Sequence, residues 1–388
     1  MSGYRPGNCV TLLRCGAEYF PALEAAIDAA ASDVYLETYI FADDPSGRLI
    51  AAALVRAVRR GVRARVVADG FGSRDFMGRL LDDVRRDGVE VAIYRPEPRW
   101  FNFSRHRLRR LHRKLAVIDA ATAFVGGINI LDDLNGLDKP PPRFDFAVRV
   151  EGPLLADVFA AAERMWRLML WSGFRRGGLR GRPPPAPPAP RAEPCGPFLA
   201  AFDCRDNFRN RRDIESAYLD AIAEAREDIL IANAYFFPGG KFRAALLAAA
   251  ARGVRVRLLL QGRVEYFLAH YAQRALYGML LAGGIEIIEY HDSFLHAKVA
   301  VIDRQWSTVG SSNIDPFSLL LAREANVFVR DAGFAQQLGD SLEQAVASGS
   351  RKVESVRWSS RSLLDRALTL IAYSDARRLL GLIGHADV

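Results

Sequence analysis

Apolar positions recur along the chain with two alternating periods. Residues 9–14 form a short apolar run that predicts a strand, and residues 19–31 place Phe20, Leu23 and Ile27 on one helical face. Residues 33–41 are β-branched and aromatic, predicting a strand that ends in the turn Asp43-Asp44-Pro45-Ser46-Gly47. A helical pattern over residues 48–60 stops at Gly61, and residues 62–69 predict the next strand, with Gly70-Phe71-Gly72-Ser73 as its exit. Strand, helix, strand in succession predicts an α/β fold with a largely parallel sheet flanked by helices. The same plan returns downstream: residues 228–237 match 33–41, including the Tyr near the end, and 250–256 match 58–64. Whole domains are therefore duplicated.

Each repeat carries one copy of a polar pattern. The first is His112-Arg113-Lys114, an apolar run to Asp119, then Gly126-Gly127-Ile128-Asn129; the second is His296-Ala297-Lys298, an apolar run to Asp303, then Gly310-Ser311-Ser312-Asn313. The chain has only 6 His, so two copies of the full spacing do not arise from composition alone. Each apolar run reads as a buried strand, and alternation puts His and Lys of one copy on one face.

Two His from related repeats suggest one composite site. A neutral imidazole is a competent nucleophile toward phosphorus, and a second, with an unperturbed pKa of about 6.5, protonates the leaving alcohol and deprotonates the acceptor. Lys114, Lys298, Asn129 and Asn313 would hold the phosphoryl oxygens, with Ser311 adding a hydroxyl that Gly127 lacks in the first copy. A nucleophilic His also needs a carboxylate on its other nitrogen, and Asp145 and Glu324, on the strands after each motif, are the candidates. Asp119 and Asp303 complete the catalytic motif set His112, Lys114, Asp119, His296, Lys298, Asp303, but lie too far along extended chain to touch their own His, which predicts a structural role. The scheme requires no metal and no cofactor.

Composition narrows the setting. A formal charge of +8 favours a polyanionic partner, nucleic acid or an anionic membrane surface. Cys9, Cys15, Cys195 and Cys204 show no metal-ligand spacing and predict free thiols in a reducing compartment. The first residues lack the plan of a signal peptide, and no apolar run reaches the roughly 18 residues of a membrane span, so any membrane contact is expected to be peripheral. Residues 99–113 interleave Trp100, Phe101 and Phe103 with Arg and His before the first motif, suiting a phosphate funnel at a membrane-facing mouth. Residues 177–197 read as a Pro/Arg-rich surface linker, and 351–388 as a basic amphipathic tail that either lies on a membrane or packs on its domain.

The paired His-x-Lys-x4-Asp motifs with their Gly and Asn spacing resemble the phospholipase D superfamily. Leu36-Glu37-Thr38-Tyr39-Ile40-Phe41, Asp69-Gly70-Phe71-Gly72-Ser73, Tyr235-Phe236-Phe237-Pro238 and Leu258-Leu259-Leu260-Gln261-Gly262-Arg263 are similar to the bacterial cardiolipin synthases, especially the shorter type without N-terminal transmembrane helices. The resemblance covers about residues 7–350. It implies two tandem phospholipase D-like lobes related by pseudo-two-fold symmetry, at 1–176 and 198–350, each a mixed, largely parallel sheet flanked by helices. It also implies phosphohistidine catalysis without metal at the lobe interface, His112 as nucleophile and His296 as acid and base, Asn129, Asn313 and Ser311 on phosphate, and Asp145 and Glu324 orienting the His pair. The implied activity is phosphatidyl transfer with phosphatidylglycerol as donor and acceptor. Phosphatidylethanolamine is left open as a further substrate, and hydrolysis of lipid or nucleic-acid phosphodiesters is the alternative. The expected partners are phospholipids and an anionic membrane surface, not nucleic acid; the expected place is cytoplasmic, on the inner membrane. The oligomeric state stays open.

Overall fold

The computed structural model describes residues 3–96, 109–134, 142–175, 189–206, 210–265, 267–315 and 322–354, together with 358, 368, 369, 371 and 374. The first half contains β1 (Arg5–Arg14), α1 (Cys15–Asp28), β2 (Asp33–Thr38), α2 (Pro45–Arg59), β3 (Arg63–Asp69), α3 (Arg79–Arg86), β4 (Glu90–Tyr94), β5 (Leu115–Ile118), β6 (Thr122–Gly126), β7 (Phe146–Glu151) and α4 (Leu155–Arg175). The second repeats the order with β8 (Phe198–Arg205), α5 (Asp213–Glu224), β9 (Asp228–Asn233), α6 (Gly240–Ala251), β10 (Arg255–Gln261), α7 (Phe267–Arg274), α8 (Tyr277–Ala282), β11 (Glu286–Tyr290), β12 (Lys298–Ile302), β13 (Trp306–Gly310), β14 (Glu324–Arg330), α9 (Ala332–Ala347) and β15 (Ser350–Lys352). Helix α2 begins as the turn chemistry demands, with Pro45 in its first turn and the Asp44 carboxylate accepting from Gly47 N at 2.8 Å.

In the strand order β15-β11-β10-β9-β12-β13-β14-β8-β1-β7-β6-β5-β2-β3-β4, the halves mirror each other from β11 to β4 about the antiparallel β8–β1 seam, with β15 added at one edge. The expected α/β fold with two tandem lobes is present, and one part of that expectation is corrected. The sheet is mostly antiparallel: among its described strands, parallel ladders are confined to β2–β3–β4 and β9–β10–β11. Helical crossovers join those strands, as the repeat pattern indicated, whereas β5, β6 and β7, like β12, β13 and β14, are joined without a helix among the described residues and pair antiparallel.

Three apolar cores hold this plan. Helices α1–α3 pack on one face of the first half and α5–α8 on the equivalent face of the second. The opposite faces share a single core, in which β1, β5–β7 and α4 meet β12–β14 and α9. Each half fastens its inner helix with a buried arginine: Arg65 forks onto Asp33 at 2.6 and 3.1 Å and reaches Glu163 of α4 at 2.7 Å. Arg257 likewise bonds Asp228 at 2.9 and 3.1 Å and Glu343 of α9 at 2.9 Å. The two motifs are thereby presented to each other across one rigid, buried seam.

Most of the basic aromatic stretch, the linker up to residue 188 and most of the tail lie outside the described residues. Within the linker, Arg191 N donates to Ala120 O and Cys195 N to Gly7 O. In the tail, Trp358 is buried against Tyr277, ring centroids 4.9 Å apart.

Candidate active site

His112 and His296 each stand just before a buried central strand, β5 and β12, and each is fixed by backbone bonds to the other half. His112 N donates to Arg323 O and Arg323 N to Arg110 O; reciprocally, His296 N donates to Phe144 O and Phe144 N to Phe294 O. Short parallel bridges, Leu111 with Arg323 and Phe144 with Leu295, therefore lay each motif histidine beside the strand that carries the other half's carboxylate.

The consequence is a crossed pairing. His112 Nδ1 lies 3.0 and 3.1 Å from the Glu324 carboxylate oxygens, and His296 Nδ1 lies 2.6 Å from Asp145 Oδ2. The imidazoles are 17% and 12% exposed while the carboxylates are 0% and 4% exposed, so the ring edges face the opening and the acids lie behind them. With Nδ1 held against a carboxylate, each Nε2 is left for chemistry.

Lys114 and Lys298 come from the same strand face as their histidines. Lys114 Nζ donates to His112 O at 2.7 Å, and Lys298 Nζ bonds His296 O and lies 2.9 Å from His296 Nδ1. Burial pushes Lys114 down to about 7 and Lys298 to about 8, against the pull of Glu324 and Asp145. Burial also lowers both imidazoles: His112 falls despite Glu324, and His296 falls well below the usual range because Lys298, Arg143 and Lys114 add to burial. The two acids diverge. Burial pushes Asp145 up to about 6, whereas Glu324, equally buried, is drawn below the usual range by His112, Lys114 and the Ser311 hydroxyl.

The Gly-rich segments shape the acid positions. Gly126 and Gly310 end β6 and β13 where a Cβ would meet Ala147 Cα at 2.4 Å and Asn326 Cγ at 2.2 Å, so only glycine lets the next strand approach. A Cβ on Gly127 would fall 2.3 Å from Asp145 Oδ1, so this glycine is the space the carboxylate occupies. Its counterpart Ser311 departs from the expected phosphate contact. The fully buried hydroxyl donates to Glu324 Oε2 at 2.6 Å and accepts from Ala325 N at 3.0 Å, because it stands behind Glu324 as Gly127 stands behind Asp145. Asn129 accepts from Ile40 N at 3.1 Å, tying the motif to the end of β2, and Asn313 is buried at the matching place after β13.

Asp119 and Asp303 are at the far ends of β5 and β12, away from the imidazoles. Both have positive φ, 51° and 50°, as do the residues after them. Ala121 N bonds Ile118 O and Gln305 N bonds Ile302 O, which are type I′ hairpin turns, where Asp tolerates the left-handed conformation. Asp119 accepts from the N–H groups of Ala31, Ser32 and Asp33 and from the Ser32 hydroxyl; Asp303 accepts from those of Arg226, Glu227 and Asp228. Placing these two in the catalytic set is thus corrected to a strand-locking role.

Tyr39 is a site residue that motif spacing missed: its ring centroid is 4.9 Å from that of His112 and 5.4 Å from Lys114 Nζ. Its repeat counterpart Tyr235 donates to Glu265 at 2.6 Å, and Arg143 approaches the same carboxylate at 3.4 Å. The signal for both was the matching Tyr at the end of each repeat's second strand.

With this geometry in hand, comparison with known proteins is decisive. The family model described as cardiolipin synthase, PLD-like domain, matches residues 23–139 and 218–346, one copy per lobe. The chain belongs to that family. Cardiolipin synthase B of Escherichia coli K12 is 37% identical over 98% of this chain and 91% of its own length. Cardiolipin synthase A of Pseudomonas syringae is 31% identical over 86% of this chain and 68% of its own length. The crystal structure of phosphatidylserine synthase from Haemophilus influenzae superposes with a TM-score of 0.68 at 12% identity, covering 98% of this chain and 95% of that one, which shows the shared fold. As a member of the cardiolipin synthase family, the chain presents its paired motifs as one site at the lobe interface. No helix among the described residues is long and apolar enough to cross a membrane.

Proposed function

We propose that the chain is a phosphatidyltransferase that makes cardiolipin from two phosphatidylglycerol molecules at an anionic membrane surface. The observation that carries the chemistry is the crossed pair: two neutral imidazoles, each with Nδ1 on a buried carboxylate of the other lobe.

His112 Nε2 attacks the phosphodiester phosphorus of the first lipid. The bond from phosphorus to the glycerol oxygen breaks; the His296–Asp145 pair, which enters with the Asp145 carboxyl protonated and Nε2–H on His296, gives that oxygen the Nε2 proton while the Asp145 proton passes to Nδ1, leaving a phosphatidyl group on His112. A hydroxyl of the second lipid then gives its proton to the same pair and attacks phosphorus, and the phosphorus–nitrogen bond breaks. Lys114 and Lys298 face the non-bridging oxygens, and Asn129 and Asn313 close the phosphate cradle; Glu324 balances the charge that develops on His112. The basic stretch before His112 and the net charge of +8 suit an anionic lipid surface and support a working position on the cytoplasmic face of the inner membrane, with phosphatidylethanolamine as a further substrate to be tested. Lobe boundaries at 176 and 198, with the tail from 351, belong to this proposal.

Vesicles of phosphatidylglycerol test it. The wild type is expected to yield cardiolipin and glycerol in equal amounts, and His112→Ala and His296→Ala to yield neither. Phosphatidic acid as the sole lipid product would instead make the chain a hydrolase.

A further inference from the structure

The two half-sites follow one plan, and one place where they part is the residue that stands across from each orienting carboxylate. Glu324 on β14 is the register partner of Arg205 on β8. In the other half the strand pairing runs Arg14 with Phe146, and the next residue, Cys15, donates its N–H to Asp145 O at 2.8 Å. Directly opposed residues project to the same face with Cβ atoms about 5 Å apart. Arg205 therefore shares a sheet face with Glu324, whereas the place across from Asp145 is taken by Cys15, the first residue of α1, whose thiol burial pushes up to about 11 and keeps uncharged.

Arg205 is fully buried, and among the described residues its two terminal nitrogens have no hydrogen-bond partner, while Nε donates to Arg211 O at 3.2 Å. Burial lowers it to about 10, with Arg211 adding to that, against the pull of Glu324, Asp315 and Glu215, and it stays charged near neutral pH. A buried charge without direct partners is expensive to keep. Arg65 and Arg257 show how this fold satisfies a buried arginine whose task is fastening: both fork onto an aspartate and reach a second acid. Arg205 fastens nothing in that way. What distinguishes its position is that it stands across the strand pair from Glu324, the partner of His112, and that Glu324 is the foremost charge acting on it.

We propose that Arg205 is a positioning residue that holds Glu324 ionised, and thereby assigns attack to His112 and proton transfer to His296. The assignment rests on the phosphohistidine reading above. An anionic Glu324 accepts the His112 Nδ1–H, fixing the tautomer that exposes the Nε2 lone pair, and stabilises the imidazole as phosphorus bonds to it. Asp145, facing the Cys15 thiol instead, shares a proton with His296 more readily, which suits the group that donates and recovers it. The lobe that does not carry the nucleophile thus selects it.

The experiment is a single-turnover reaction with phosphatidylglycerol vesicles across a pH series, with the adduct located on His112 or His296 by tandem mass spectrometry. In the wild type the adduct forms on His112. Arg205→Met is expected to shift the acid limb of adduct formation upward by about one to two pH units, the effect of losing one charge at a few ångströms in a partly screened interior. At neutral pH its adduct yield falls or moves toward His296, while Arg205→Lys restores the wild-type limb. Melting curves confirm that each variant is folded, and Arg205→Gln carries the same expectation where R205M does not accumulate. An unmoved acid limb and an unmoved adduct in folded R205M or R205Q would overturn the proposal. A wild type without adduct on either histidine would overturn the underlying reading instead.

Discussion

Replacing Asp119 separates strand-locking from catalysis. Its carboxylate accepts three backbone N–H groups and one hydroxyl at 2.8 to 2.9 Å, and its backbone holds φ at 51°. Hydrogen bonds to a charged acceptor contribute about 1.5–3 kcal/mol each when buried; this site is half-exposed and water competes, so about 2–3 kcal/mol is expected for the whole set. Alanine adds about 1 kcal/mol for the left-handed turn, which asparagine avoids. At roughly 1–1.5 °C per kcal/mol for a chain of 388 residues with one shared core, Asp119→Ala should melt about 3–6 °C below the wild type, with Asp119→Asn between them. The backbone and hydroxyl donors hold the folded carboxyl below its usual range against burial. Its stabilisation is therefore present above the unfolded carboxyl pKa of about 3.9 and is lost as pH falls through the lower folded value, so the two melting curves should converge in strong acid. Calorimetric melting at pH 7 and near pH 3, paired with adduct formation well below the melting point, decides the matter. A variant that melts like the wild type yet forms no phosphohistidine would refute the structural role.

The acids should respond differently to loss of charge. Glu324→Gln is expected to slow adduct formation on His112 by roughly a hundredfold, whereas Asp145→Asn should permit attack and slow release of the leaving alcohol, a split that rapid-quench kinetics resolves. Gly127→Ala should displace Asp145, lowering turnover by at least about tenfold with intact secondary structure by circular dichroism; unchanged turnover would mean the carboxylate has room that the 2.3 Å approach denies. Phosphate affinity should weaken as pH rises from about 7 to 8, because Lys114 and Lys298 lose their protons there, and Lys114→Arg, which cannot deprotonate, should flatten that limb in vesicle-binding titrations.

How far the sequence could be read follows from which interactions are local. The motif histidines, the lysines two residues on and the repeated strand with its terminal Tyr were legible because alternation and duplication act within one stretch of chain. The parallel strands were legible for the same reason, since β2–α2–β3 is a contiguous unit. The antiparallel majority was not, because pairing of β1 with β7 and β8 joins residues that periodicity cannot relate. Asp145 and Glu324 were named as orienting acids, but which serves which histidine depends on bridges between residues more than 150 positions apart, His296 to Asp145 being separated by 151. Ser311 was misread since a buried hydroxyl and one lining a phosphate cradle look alike in sequence. Asp119 and Asp303 were read by reach alone; their turn conformation and the N–H groups they collect required the fold.

The crossing itself constrains how such a site works. Had each histidine used its own lobe's acid, either lobe would carry half of a functional dyad, and the interface would merely bring two halves close. Here Glu324 completes His112 and Asp145 completes His296, and the backbone bonds from His112 to Arg323 and from His296 to Phe144 fix both pairs in the same seam. A relative shift of the lobes by an ångström would lengthen both carboxylate contacts at once, so preorganisation of attack and of proton transfer is a single property of the shared core. The shared strand order of the two halves makes two equivalent dyads the default. The departures from it, Ser311 for Gly127, Glu324 for Asp145 and Arg205 for Cys15, all fall on the side chains that surround the carboxylates. Division of labour between the histidines is therefore written one layer behind them, where a substitution changes charge and space without changing the reacting groups.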